Sequence, residues 1–250
     1  MLEVTNLFKD FSSIRAVNNV SFNLPAQTIT AVIGPNGAGK TTLYHLISGE
    51  LQPTSGSVKL NGKELVGLPP HKIVKAGIGR SFQITSVFPS LTVQENIRAA
   101  VIARGNKQFN FWQNLESDIS VHQTVSEVMS LVGIENLATT PVQHLSHGDR
   151  SLVEIAIVFA VKPLLILLDE PTAGMSRPET HRIVELIRYL QQEIGCTFLL
   201  TEHDMEVVFN LAESIIVLHQ GSILAVGNSE EIKNNPDVRR AYLGVSLIDN

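Results

Sequence analysis

One stretch constrains this chain more than any other. Gly34 to Thr42 reads GPNGAGKTT, which matches the spacing G-x-x-x-x-G-K-[ST]. The β-branched, apolar run Thr28 to Ile33 precedes it, and a helical pattern from Lys40 to about Gly49 follows. A strand that turns through glycines into a helix start gathers backbone N–H groups around one point. Glycine permits the close curl, and the helix start adds about half a positive charge. Lys40 adds a full charge for the β- and γ-phosphates of a nucleotide, and the Thr41 hydroxyl is suited to Mg²⁺. The candidate phosphate contacts are therefore Gly34, Pro35, Asn36, Gly37, Ala38, Gly39, Lys40, Thr41 and Thr42.

A second signal is LLILLDE, Leu164 to Glu170. An apolar strand that ends in an acid presents a carboxylate at the carboxyl edge of a parallel sheet, where ligands bind. Asp169 is suited to holding Mg²⁺, and Glu170 to taking a proton from attacking water. Two further polar residues end strand-like runs: Gln83 after GIGRSF and His203 after TFLLTE.

The organisation fits these motifs. The first sixty residues read as short β segments, including Ala16 to Leu24, with a strand and tight turn at Ser57 to Gly62. From Val93 to Leu137 the apolar spacing is mostly helical, interrupted by the polar, aromatic stretch around Phe109, Phe111 and Trp112. The last hundred residues alternate. Helices are predicted over Ser151–Val161, Pro178–Glu193 and Met205–Ala212, and strands over Leu164–Leu168, Thr197–Leu200 and Ile215–Leu218. Strands alternating with helices predict a parallel sheet covered on both faces, with the helical middle inserted between its halves.

Composition removes other classes. Hydrophobic residues are 44% and charged residues 17%, enough apolar content for one large core and too little charge for disorder. The net charge of −5 argues against a broad electrostatic grip on nucleic acid. No run is long and apolar enough to span a membrane, and no signal peptide is visible, so a cytosolic chain is expected. The single cysteine, Cys196, rules out an intrachain disulfide framework and reads as a small core residue.

The chain resembles the ATP-binding subunits of ABC transporters over essentially its whole length. The segment LSHGD, Leu145 to Asp149, carries this resemblance, because it is similar to the family signature LSGGQ and precedes the helix that leads to Asp169. The resemblance implies an α/β fold of the P-loop ABC ATPase type. Its RecA-like, mainly parallel sheet carries an antiparallel β subdomain at the N-terminus and an inserted helical subdomain. One domain, 1–250, would divide into a nucleotide-binding core (about 1–83 and 162–250) and a helical part (about 84–161). The resemblance also implies ATP and Mg²⁺, with ATP held between the phosphate loop of one subunit and the signature of another. Ser146 and Gly148 match the signature, while His147 and Asp149 replace its first glycine and its glutamine. Gln83 falls at a loop that senses Mg²⁺ and the attacking water, His203 at a histidine that contacts the γ-phosphate, and Phe11 where an aromatic stacks on adenine. Where many members have Ser-Ala-Leu-Asp, this chain has AGMS, Ala173 to Ser176.

GIGRSFQITSVFPSLTVQENI, AGMSRPET, TEHDMEVVF and NNPDVRRAYLG resemble more narrowly the longer ATPase subunit of branched-chain amino acid importers. That branch implies a sister ATPase, as a heterodimer or alternatively a homodimer. It also implies two transmembrane permease subunits, an extracytoplasmic binding protein, no nucleic acid, and a peripheral place on the cytoplasmic face of the inner membrane. Permease loops would dock in a groove near Gln83 to Glu95, with Phe88 and Leu91 as anchors. The alternatives are an importer of urea or short amides, a lipopolysaccharide-type exporter ATPase, a non-catalytic regulatory subunit and a soluble ABC ATPase.

Overall fold

The computed structural model describes residues 1–81, 87–104 and 119–243. Gln83, Phe109, Phe111 and Trp112 lie outside these residues.

The chain opens with two long antiparallel strands, β1 (Leu2–Phe11) and β2 (Ile14–Leu24). After β3 (Ile29–Ile33) and α1 (Lys40–Ile47), β4 (Ser55–Leu60) pairs with β1, and β5 (Lys63–Glu64) completes a four-stranded sheet in the order β2-β1-β4-β5. The imperfect alternation of β2 has a local cause. Asn6 and Asn19 adopt left-handed backbone, the register slips between Leu7↔Val20 and Lys9↔Val17, and Asn6 Nδ2 donates to Asn19 Oδ1 at 2.9 Å. This is a bulge, which shifts the inward set of side chains along the strand.

Next come α2 (Pro70–Ala76), β6 (Ile78–Arg80), α3 (Val93–Arg104), α4 (Ile119–Val132), α5 (His147–Ala160), β7 (Leu165–Asp169), α6 (Arg177–Gln192), β8 (Thr197–Thr201), α7 (Met205–Leu211), β9 (Ser214–His219), β10 (Ser222–Gly227) and α8 (Ser229–Asn234). The second sheet runs β10-β9-β3-β8-β7-β6. All its pairs are parallel except the edge pair β9–β10.

The central strands are mostly apolar because both faces are covered. Ala31, Ile33, Ile166, Leu168, Phe198, Leu200, Ile215 and Val217 pack into the core shared with α3–α7. Their alternating neighbours Val32, Leu165, Leu167, Leu199, Ile216 and Leu218 face α1 and the antiparallel sheet. Helices α3, α4 and α5 pack on one another, as the helical spacing of the middle predicts. Cys196 is buried in the larger core, and burial pushes its thiol up to about 11, so it is a packing residue.

Candidate functional site at the carboxyl edge of the parallel sheet

The phosphate loop leaves the end of β3 and enters α1. Its turn depends on glycine at two places. Gly34 and Gly39 both have positive φ, and a Cβ would lie 2.2 Å from the Leu218 carbonyl oxygen at Gly34 and 2.5 Å from that of Ala16 at Gly39. No side chain caps α1, so the N–H groups of its first turn face outward without a side-chain acceptor. Lys40 is nearly buried, and its ammonium donates to the Gly34 carbonyl at 2.7 Å and the Pro35 carbonyl at 3.2 Å. Burial lowers the lysine's pKa, while the nearby carboxylates of Glu170 and Asp169 act to raise it. Uncapped N–H groups beside a partly desolvated cation fit an anionic ligand such as a nucleotide phosphate.

Strand β7 delivers Asp169 to the same edge, where its carboxylate accepts from Thr201 Oγ1 at 2.6 Å. Glu170 follows in left-handed backbone (φ 52), an arrangement that costs about 1–3 kcal/mol and persists only when its surroundings hold it. The hold is visible: the Glu170 N–H donates to the Thr201 carbonyl at 3.1 Å and to its Oγ1 at 3.2 Å. This turn aims the Glu170 carboxylate at His203, whose Nε2 lies 2.8 Å from Glu170 Oε1. Lys40, Asp169, Glu170 and His203, chosen from separate motifs, therefore meet in one region.

Two residues that the sequence reading passed over support this region. Glu202 is 2% exposed and accepts from the N–H and hydroxyl of Thr172, at 2.9 and 2.7 Å. It thereby ties the loop after Glu170 to the end of β8; burial raises its pKa, and the Thr172 hydrogen bonds oppose the rise. Arg80, at the end of β6, donates to Glu50 at 2.8 Å and lies 3.8 Å from Asp169. The only clue in the sequence was the position of each at the end of a short apolar run.

The signature segment is built differently. Ser146 caps α5: its hydroxyl accepts from the Asp149 N–H at 3.1 Å and donates to the Asp149 carboxylate at 3.0 Å. Asp149 also pairs with Arg182 of α6 at 3.0 Å. The Gly148 N–H donates to Glu179 at 3.3 Å, and Glu179 forms a capping box with Ser176. Ser146 and Gly148 are thus tied to the AGMS loop and α6; no described contact joins them to the phosphate loop of the same chain. His147 is exposed and lines a cavity of about 280 Å³ with Asp169 and Glu170. Phe11 stands at the tip of the β1–β2 hairpin, 43% exposed, with the Lys9 ammonium 5.0 Å from its ring centre.

A groove of about 440 Å³ lies between the sheet edge and the helical part. Its walls are Ile73 and Val74 of α2, Ile78 and Gly79 of β6, Ala100 of α3, and Ile157, Val158 and Val161 on and just after α5. Phe88 and Leu91 are not among these described lining residues. They are exposed on a loop that Asn96 holds from inside, accepting from the Phe88 N–H and donating to the carbonyls of Phe88, Leu91 and Thr92.

The fold and the phosphate-binding edge define an ATP-binding cassette, and the comparisons agree. The ABC transporter family model matches residues 17–173, and the chain belongs to that family. Its end, residues 222–247, matches the model described as branched-chain amino acid ATP-binding cassette transporter. The chain is 37% identical to the high-affinity branched-chain amino acid transport ATP-binding protein BraF of Pseudomonas aeruginosa, with 98% of each chain covered. It is 38% identical to LivG of Escherichia coli, of the same description, again over 98% of both. A crystal structure of a nucleotide-free ATP-binding cassette from an ABC transporter superposes with a TM-score of 0.87 at 30% identity, covering 98% of this chain and 99% of the other. The ADP conformation of MJ1267, an ATP-binding cassette of an ABC transporter, superposes at 0.86 with 31% identity and 98% coverage of each. Among the described residues, no helix is long and apolar enough to cross a membrane.

Proposed function

We propose that this chain is the ATP-hydrolysing subunit of an importer for branched-chain or neutral amino acids. It would act on the cytoplasmic face of the membrane with a sister ATPase, two permease subunits and an extracytoplasmic binding protein. The observation that carries the catalytic part is the meeting of Lys40, Asp169, Glu170 and His203 beside an uncapped helix start. The similarity of both the core and the C-terminal segment to the branched-chain amino acid subfamily supports the choice of cargo.

In this reading the loop Gly34–Thr42 cradles the β- and γ-phosphates, and Lys40 leaves the Gly34 and Pro35 carbonyls to neutralise them. Phe11 stacks on the adenine. A divalent cation fits the donors present, the Thr41 hydroxyl and the Asp169 carboxylate, with Gln83 as a third candidate. Among the described residues no group of three or more His, Cys, Asp or Glu side chains could hold a metal alone. That donor set suits Mg²⁺, which takes one or two carboxylates and completes its shell with phosphate and water; when bound, it offsets the charge that develops on the phosphoryl oxygens. Glu170 accepts the proton of the attacking water, and His203 fixes that carboxylate and reaches the γ-phosphate. Ser146, His147 and Gly148 close over ATP held by the partner subunit, with the start of α5 aimed at its phosphates. The closed dimer binds ATP better than the open one, so loss of the γ-phosphate releases it. The groove between sheet and helices receives a cytoplasmic loop of the permease.

The test is purification from native membranes in mild detergent, with identification of the co-purifying chains. A shorter ATPase, two multi-spanning subunits and an extracytoplasmic binding protein are the expected set. Recovery of the chain alone, or with soluble partners only, contradicts the proposal.

A further inference from the structure

Glu154 is a carboxylate in an unusual place. It lies on α5 and lines the groove of about 440 Å³, whose other walls are mostly aliphatic. It also lines the smaller cavity that holds His147, Asp169 and Glu170. One side chain therefore stands in the wall between the docking groove and the catalytic carboxylates.

No described residue hydrogen-bonds to the Glu154 carboxylate or forms an ion pair with it. The charged groups around it are otherwise arranged. Arg80, across the groove, is turned onto Glu50 at 2.8 Å and toward Asp169 at 3.8 Å. Arg150, one turn earlier on α5, acts on Glu154 only through its field, which is weaker than the effect of burial. On the far side His147, Arg150, Asp169 and Glu170 line the smaller cavity. Burial raises the Glu154 carboxyl to about 7, and an ionised acid among aliphatic walls is costly until a cation meets it. A permease supplies cations: the cytoplasmic loops of membrane proteins carry an excess of Lys and Arg.

We propose that Glu154 receives a lysine or arginine side chain from the permease loop that docks in the groove. This rests on the reading of the groove as the permease site, and it adds the chemistry of the contact. A charge-matched contact in an apolar groove sets the register of the docked loop and disfavours loops that place an acid or an apolar group there.

The test uses the assembled complex, purified through a tag on the permease, and measures the affinity with which this chain is retained. Glu154→Gln keeps the shape and removes the charge. Val74→Glu and Val74→Trp, on α2, obstruct the groove from the wall opposite α5 and leave Glu154 unchanged. Glu154→Gln is expected to weaken retention at least ~10-fold, while the isolated variant melts at or above the wild-type temperature at pH 8. Both groove variants are expected to lose the permease. Wild-type retention of Glu154→Gln alongside loss in the groove variants overturns the Glu154 contact and leaves the groove reading standing. Wild-type retention in all three overturns the groove reading, and the contact with it. Weakened retention of a Glu154→Gln chain that melts lower than wild type makes the residue structural and also overturns the proposal.

Discussion

At the scale of single residues, the chemistry depends on charges held where solvent is scarce. Glu154 makes the clearest prediction. Its folded carboxyl titrates near 7, against 4.5 for its ordinary value. Between those values the folded chain holds a proton that the unfolded chain has lost, so stability falls as pH rises through this window and levels off above it. Glu154→Gln should match wild type near pH 4.5 and gain on it up to about pH 8, by about 1–2 kcal/mol once solvent screening is discounted. Thermal melts of both chains across that range check this, and a constant difference at every pH would contradict it. The sequence displayed Lys40, Asp169, Glu170 and His203 because each sits at a fixed offset in a motif. It did not display Glu154 or Glu202. A glutamate in a helical run reads as a solvated face, and only the packing of α5 against β6 and α3 shows otherwise.

At the scale of elements, the strands were legible, and so were the starts of α1 at Lys40 and α7 at Met205. The run LILLD is apolar on both faces, and β7 occupies almost the predicted span because both faces are covered. Helix α5 begins at His147, four residues before the apolar run suggested, since Ser146 caps it and Asp149 accepts the Ser146 hydroxyl. Helix α2 and the edge strand β10 were not predicted individually; both are short, and β10 is only partly buried, so periodicity alone marks them weakly. The meeting of α5 and α6 carries its own prediction. A Cβ on Gly148 would lie 2.8 Å from Glu179 Oε1, the acid that caps α6 through Ser176. Gly148→Ala should gain about 1 kcal/mol in helix propensity and lose about as much from the displaced cap. Its melting temperature should then stay near wild type while ATP turnover falls at least ~10-fold, through misalignment of the signature with the AGMS loop. Unchanged turnover would show that this junction does not position the signature.

At the scale of the whole molecule, the proposed dimer gives one chain half of each composite site. The phosphate loop and the acids of β7 lie at one edge of the sheet, while Ser146 and Gly148 are braced against α6 and joined to that loop by no described contact. Sequence patterning made the two-faced sheet and the helical insertion legible, because alternating strands and helices leave few other ways to bury them. It could not place the groove proposed for docking, whose walls come from α2, β6, α3 and α5, segments distant in sequence. In the proposed cycle, Glu170 couples ATP hydrolysis to amino acid import. The most direct measurement is ATP-driven leucine uptake by the purified complex in proteoliposomes, wild type against Glu170→Gln, with ATP binding measured on the same samples. This role of Glu170 predicts uptake by the wild type, retained ATP binding by Glu170→Gln, and uptake lower by at least ~10²-fold in that variant. Equal uptake by the two complexes would contradict it.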